Sequence, residues 1–545
     1  MKKYLLLLIV STTILFSGCY KGKAVDLVIY NAAIHTMDDA NHVYDAIAIK
    51  DGKVVEAGPE RQIRNKYAAE EEIDAAGKDI YPGFTDAHGH LFSYADQLLS
   101  ANLVGAKSFD EVLVRLEKYQ QKKHRSFIIG RGWDQSLWED KAFPTNEKLS
   151  QLFPNTPVCL IRIDGHALIA NDALLKRAKI DSLTKIDGGI IHLEKGKCTG
   201  FLVDNAMNPI YKLLPAFPEK EIMNAIEEIQ AELLQYGITG VHEAGIQLKQ
   251  IGLFKKMIAQ KKLVLNIYAM LMPTKENKAF ALKNGIYTFK NLLIRSFKVM
   301  GDGALGSRGA FLKKEYADQH NHFGVLTTPL SEIKSIADFC QKTGYQMNTH
   351  AIGDSTNALL LSIYKNIYAV NKDHRWRIEH AQIVDAKDRH FFGDYAVFPS
   401  VQPTHAVSDQ RWAELRLGKN RVKNAYAYKS LLNQFGMVAI GTDFPIELTD
   451  PFLTIHAAVQ RKNSDNFPSS GFYSSERITL VECIKGMTIW AAFAAFQENQ
   501  LGTLEKGKDA TFAIFENKIT STTEYKPNFS YATYIKGKKS TVLIK

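Results

Sequence analysis

The chain has 545 residues, 46% of them hydrophobic and 23% charged, with a formal net charge of +10. That composition is ordinary for a globular protein and excludes a disordered chain, while the length exceeds what one ordinary core takes. The lysines are scattered with no long basic block, which points to a solvated lysine-rich exterior rather than a nucleic-acid surface.

The first element is a positive start, Met1-Lys2-Lys3, followed by an apolar run over 4–16 and then Ser17-Gly18-Cys19. This order predicts a secretory signal over 1–18. The run is short of the roughly 20 apolar residues that a membrane-spanning helix needs. Leu15-Phe16-Ser17-Gly18-Cys19 resembles the bacterial lipobox, in which the cysteine is lipidated and becomes the mature N-terminus. Phe16 departs from the leucine usual at its position, so ordinary signal cleavage is the alternative. The resulting expectation is an exported protein of the bacterial cell envelope, touching the membrane only through a lipid on Cys19. The remaining cysteines, Cys159, Cys198, Cys340 and Cys483, are widely spaced and form no C-x-x-C pair, which predicts free thiols.

From 20 to 81 the chain alternates short β-prone runs with turns, as in Asp26-Leu27-Val28-Ile29-Tyr30 and Ala46-Ile47-Ala48-Ile49, broken by Asp51-Gly52 and Gly58-Pro59. The stretch 500–545 repeats that texture in Asp509-Ala510-Thr511-Phe512-Ala513-Ile514-Phe515 and Tyr531-Ala532-Thr533-Tyr534-Ile535. The two ends are therefore expected to build one small β-sandwich around a continuous domain over 82–499. Inside that domain helix and strand alternate. Ile222, Ile226, Ile229 and Leu233 fall at helical spacing over 221–236, and the strand Ile238-Thr239-Gly240-Val241 follows. A capping box, Thr479-x-x-Glu482, opens a helix expected over 479–496.

Alternation of this type predicts an α/β fold with a parallel sheet, here a (β/α)8 barrel. Eight strands are expected to end at His90, His242, near Leu271, Gly301, His350, His380, His405 and Asp443. About 140 residues separate the first two, far more than one crossover requires. An inserted subdomain over about 100–215 should cover the barrel mouth.

A (β/α)8 barrel carries its chemistry at the carboxyl ends of its strands, and polar residues collect there. In Gly83-Phe84-Thr85-Asp86-Ala87-His88-Gly89-His90, residues two apart share one side of a strand, so His88 and His90 can face one metal. His350 and His380 close two further strands, and Asp443 follows another. Lys298 sits in the apolar strand Phe297-Lys298-Val299-Met300, where an unpaired ammonium is disfavoured. A charged partner or carbamylation by CO2 would each account for it.

These motifs, with Asp302-Gly303-Ala304-Leu305-Gly306-Ser307-Arg308, His350-Ala351-Ile352-Gly353-Asp354, Ile378-Glu379-His380-Ala381 and Gly441-Thr442-Asp443-Phe444-Pro445, resemble the amidohydrolase superfamily over nearly the whole mature chain. Within it the pattern is similar to the YtcJ-like branch that includes N-substituted formamide deformylases. The resemblance implies that His88, His90 and Asp443 bind one metal, that His350 and His380 bind a second, and that a carbamate on Lys298 bridges them. Two zinc ions are implied, with iron, manganese or cobalt as alternatives for mixed nitrogen and oxygen donors.

Weaker expectations concern His242, at the end of the second strand, as a catalytic residue touching substrate or a structural one. Trp133, Asp134, Asp164 and His166 in the insertion are candidates for the pocket. Arg308 is a candidate to hold a substrate carboxylate or to brace its glycine-rich loop. The implied activity is cleavage of an amide-like carbon–nitrogen bond, such as an N-acyl or N-formyl bond, by a metal-activated hydroxide. Asp443 would move the proton. A deaminase, an ester, lactone or urea-type hydrolase, and an inactive surface-binding lipoprotein are the alternatives. A small molecule is the expected partner, with no nucleic acid, and the oligomeric state is left open.

Overall fold

A computed structural model describes residues 22–521 and 524–540. The predicted signal segment and Cys19 lie outside the described residues. Eight strands form a parallel sheet in chain order: β1 (Phe84–Gly89), β2 (Ile238–Ile246), β3 (Asn266–Leu271), β4 (Leu292–Met300), β5 (Gln346–Ala351), β6 (Arg377–His380), β7 (Phe398–Val401) and β8 (Ala439–Ile440). The sheet curls until its edges meet. The Asp443 amide donates to the His88 carbonyl at 2.7 Å, and the His90 amide donates to the Phe444 carbonyl at 2.9 Å. These bonds extend β8 alongside β1, giving the expected (β/α)8 barrel.

The strands read as near-continuous apolar runs because both of their faces are covered. All six residues of β5 are buried, and five of the six in β3. The helix expected over 221–236 is Glu219–Gln235, and it buries Ile222, Ile226, Ile229 and Leu233. The helix expected over 479–496 keeps its capping box but is two pieces, Leu480–Gly486 and Ile489–Ala494. Between them the Thr488 hydroxyl donates to the Ile484 carbonyl at 2.6 Å, an alternative to the helical ladder. The seventh strand differs from expectation as well. It ends at Val401, and Pro403 takes the first position of helix Pro403–Arg421, which places His405 in that helix's first turn. Proline suits that position because its fixed φ is helical and its missing N–H would have no partner there.

The chain ends meet as expected. A four-stranded sheet runs in the order Lys53–Gly58, Ala46–Lys50, Lys23–Tyr30, Tyr67–Asp74. A second sheet joins the N-terminal strands Ala33–His35, Val43–Tyr44 and Asp79–Pro82 to the C-terminal strands Phe512–Phe515, Ser530–Ile535 and Lys538–Lys539. Ile29, Ile47, Ile34, Phe512 and Ile514 fill the space between the two.

After β1 a mixed six-stranded sheet is inserted, from Ala101–Asn102 to Lys197–Asp204. Trp133, Trp138, Leu160 and Phe201 pack one of its faces, and Ile161, Leu168 and Leu202 pack the other. Cys159, Cys340 and Cys483 are buried free thiols, and Cys198 is a half-buried one. Among the described residues no helix is long and apolar enough to cross a membrane.

Candidate metal centre

The site begins with the β1 sequence. His88 is wholly buried, and His90 caps the helix Leu91–Leu99 directly after the strand. The glycine between them is required sterically, since a Cβ on Gly89 would stand 2.3 Å from the Phe444 ring. That close approach brings Asp443 to the two histidines. Its Oδ1 lies 3.0 Å from His90 Nε2 and 3.6 Å from His88 Nε2. Burial would raise the Asp443 carboxyl, but His88 and His90 beside it hold it well below the usual carboxylate range. Asp443 has a left-handed backbone, φ 62°, as does His380 with φ 71°. Non-glycine residues rarely adopt this conformation, and they do so where the surroundings impose it.

Lys298 points from β4 into the same space, with Nζ 3.0 Å from His88 Nε2. Burial pushes its amine down to about 8, against the opposing pull of Glu379 and Asp443. From the other side come His350, His380 and His405. The His380 ring centroid lies 4.6 Å from that of His350, 4.8 Å from that of His88 and 6.0 Å from that of His405.

His350 Nε2 and His405 Nε2 are buried atoms without a hydrogen-bond partner among the described residues. Buried polar atoms are almost always satisfied, so lone pairs left unpaired around a shared space fit a cation. Two groups have donor atoms within 4.8 Å of one another: His88, His90 and Asp443, and His380, His405 and Asp443. These are sites for two metal ions that share Asp443. The second group contains His405, which the sequence reading left without a role, and His350 stands beside it. Histidines 350 and 405 each line the cavity described below.

The donors are held by a buried polar frame. His88 Nδ1 is 2.5 Å from Glu379 Oε2, which directs the ring's Nε2 toward the site. Arg377 donates to Glu379 Oε2 at 2.8 Å, to the Ala87 carbonyl at 2.7 Å and to Ser400 Oγ at 2.9 Å. Its other terminal nitrogen meets His242 Nδ1 at 2.9 Å. His242 is thus part of this frame and does not line the cavity. His380 Nδ1 pairs with Gln402 Oε1 at 2.8 Å. Asp86 accepts from the His88 and Thr442 amides and from Thr442 Oγ1, tying β1 to the end of β8. Asp302 accepts from the Ile352, Gly353 and Phe311 amides and from Thr356 Oγ1, tying the loop after β4 to the loop after β5. Burial pushes both of these carboxyls up to about 7.

Above the donors is a cavity of about 590 Å³, walled by barrel ends and by the insertion. The inserted sheet brings Asp134, Asp164 and His166 to its wall. Arg162 bridges Asp134 and Asp164 at 2.9 and 2.5 Å. Arg411, on the helix that carries His405, reaches Asp134 at 2.8 Å and fastens the insertion to the barrel. Two other candidates lie off the cavity wall. Trp133 is in the core of the inserted sheet, its indole donating to the Leu160 carbonyl at 2.8 Å. Arg308 is paired with Asp318 at 3.0 Å and braces its loop. The sequence reading assigned no role to Glu379, Arg377, Asp302, Gln402 or His405. Glu379 and Arg377 were in plain view beside His380, but their value depends on a buried contact across the barrel.

Over residues 71–538 the chain matches the Amidohydrolase family. It is 31% identical over 95% of its length to Protein LONG AFTER FAR-RED 3 of Arabidopsis thaliana, and the match covers 92% of that protein. It is 29% identical to the putative amidohydrolase YtcJ of Bacillus subtilis, covering 88% of this chain and 92% of the relative. Identity is 24% to the N-substituted formamide deformylase of Arthrobacter pascens, covering 90% and 93%. Among solved structures, a metal-dependent hydrolase of Pyrococcus horikoshii has a TM-score of 0.73 at 26% identity, over 90% of this chain and 97% of that one. With two metal-donor groups at the carboxyl ends of its barrel strands and a family match over most of its length, the chain belongs to the amidohydrolase family.

Proposed function

We propose that this protein hydrolyses a carbon–nitrogen bond in a small amide-like molecule, such as an N-acyl or N-formyl compound, with two divalent metal ions. The observation that carries this reading is the pair of donor groups sharing Asp443, with every member but His88 on the wall of one cavity. His88, His90 and Asp443 would hold one ion. His380 would hold the second, with His350 and His405 each offering an unpartnered Nε2 beside it. Imidazole and carboxylate donors suit zinc. When bound, such ions polarise a carbonyl and lower the pKa of a water to about 7.

The chain's own residues do the rest. Asp443 stays ionised at neutral pH, and its carboxylate can take a proton from the attacking water and return it to the leaving nitrogen. The insertion supplies one wall of the cavity. Lys298, with its amine lowered to about 8, has a larger neutral fraction than an ordinary lysine. The neutral amine adds to CO2 with loss of one proton, and the resulting carbamate would bridge the two donor groups. The similarity to an N-substituted formamide deformylase supports formyl amides as the first compounds to try. The N-terminal signal would deliver the enzyme to the cell envelope, anchored by a lipid on Cys19.

The test is metal analysis of the purified mature protein together with turnover on N-acyl and N-formyl compounds, esters and lactones. Close to two divalent ions per chain, and amide turnover lost to chelators, are expected. Full turnover in a verified metal-free preparation would end the metallohydrolase reading. Turnover of esters or lactones with no amide cleaved would end the carbon–nitrogen reading.

A further inference from the structure

The insertion places one pair of side chains at the cavity that neither donor group uses. His166 follows the turn at Asp164 and Gly165, where its amide donates to Asp164 Oδ1 at 3.1 Å. Its ring lines the cavity, with its centroid 5.0 Å from that of His350. His166 Nδ1 lies 2.8 Å from Asp204 Oδ1, so Nε2 is the nitrogen left for the cavity. No hydrogen bond occupies Nε2 among the described residues.

Asp204 is held in place in a manner unusual for a structural carboxylate. Its backbone has φ 51° and ψ −125°, a region that glycine favours and other residues avoid. Its side chain is 1% exposed, and Oδ2 has no hydrogen-bond partner among the described residues. Two glycines of the loop after β4 press against it. A Cβ on Gly303 or Gly309 would stand 2.1 or 2.2 Å from Oδ2. A strained backbone, a half-satisfied buried carboxylate and a loop cleared of side chains all serve a single outcome, a fixed His166 ring. Strain of this kind persists where the surroundings over-determine a residue, and it clusters at functional sites.

We propose that His166 is a catalytic residue whose Nε2 contacts the scissile group of the bound substrate from the insertion side. Asp204 is its positioning residue, fixing the tautomer and direction of the ring in the way a carboxylate orients a histidine in hydrolytic triads. The proposal rests on the hydrolase reading above. It adds that the insertion supplies part of the chemistry as well as one wall of the cavity.

The experiment uses the metal-loaded full chain with whichever member of the N-formyl and N-acyl panel the wild type turns over fastest. His166→Ala, Asp204→Asn and the double variant are compared for kcat, KM and metal content. His166→Ala is expected to lower kcat by at least about 10²-fold while keeping both ions, and added imidazole should restore part of the rate. Asp204→Asn is expected to lower kcat by a smaller factor and to have no further effect in the His166→Ala background. If His166→Ala does not fold, His166→Gln carries the same comparison. Loss of metal would make His166 a ligand and overturn the proposal. So would a kcat within a few-fold of wild type, or an Asp204→Asn effect that is the same in both backgrounds. A metal-loaded wild type that cleaves no amide would instead defeat the hydrolase reading, and this inference with it.

Discussion

Glu379→Gln removes one charge from the centre of the buried frame while keeping the side chain's shape. Both partners of this carboxylate are buried: His88 Nδ1 at 2.5 Å and the Arg377 guanidinium at 2.8 Å. Both bonds fall on Oε2, so a glutamine oxygen there can still accept them, but its NH2 then replaces Oε1 and faces the Arg377 Nε donor at 2.7 Å. Two effects should follow. The Arg377 guanidinium loses its counter-charge in the interior, where breaking a buried pair typically costs about 3–5 kcal/mol. Ala87 O and Ser400 Oγ still accept from it, so the lower end of that range applies. His88 also loses the charge on the anchor that aims its Nε2, and disturbing such a partner typically weakens metal affinity by about 10–100-fold.

The two effects are read separately, by urea denaturation of metal-free protein and by competition with a chelator of known affinity. An acid limb provides an internal check. Glu379 is held below its ordinary value of 4.5 in spite of burial, by Arg377 and then His88. Its contribution to stability is therefore present above that pH and is lost as pH falls below it. The wild type should lose stability over that acid range more steeply than Glu379→Gln. A variant that binds metal within twofold of wild type and unfolds at the same urea concentration would refute the idea that Glu379 orients His88.

Three further outcomes are expected. Lys298→Ala should abolish occupancy by two ions, and added short carboxylates should restore part of the activity if a carbamate normally bridges the groups. An unmodified lysine in a metal-loaded, active crystal would count against it. Asp443→Asn keeps an oxygen for the metals but cannot accept a proton, so kcat should fall by at least about 10²-fold with the metals largely retained. Retained metals with kcat within a few-fold of wild type would move the proton transfer elsewhere. Cys19→Ala should release the protein from the membrane fraction of a bacterial host, and a wild type found wholly soluble would defeat the lipid anchor.

The barrel was legible because its strands are buried on both faces and carry their polar residues at one end, a pattern that survives in the linear sequence. The seventh strand was misjudged at His405 because Thr404 and His405 continue the polar ending of a strand. Pro403 is the signal that turns the chain into a helix there. The break at Thr488 was not legible for a different reason. An apolar run with a good cap reads as one helix, and the hydroxyl that competes with the ladder gives no periodic signal.

The site was legible where a ligand lies on a strand end and illegible where its value comes from what it touches. His88, His90, His380 and Asp443 announce themselves by position. Nothing near Asp204 in the sequence says that it lies under Gly303 and Gly309, about a hundred residues away along the chain. Yet the glycine-rich loop itself was visible, and its meaning becomes physical once the contact is known. Glycines at 303 and 309 leave room for a carboxylate, and the carboxylate holds a histidine against the cavity. The expected cost of adding one methyl group therefore tests the whole chain of contacts. Gly309→Ala would put a carbon 2.2 Å from Asp204 Oδ2, so it should displace Asp204 and with it His166 without touching any metal donor. It should lower kcat in the wild type and leave the His166→Ala variant unchanged. If Gly309→Ala lowers kcat equally in both backgrounds, the glycines serve the loop alone.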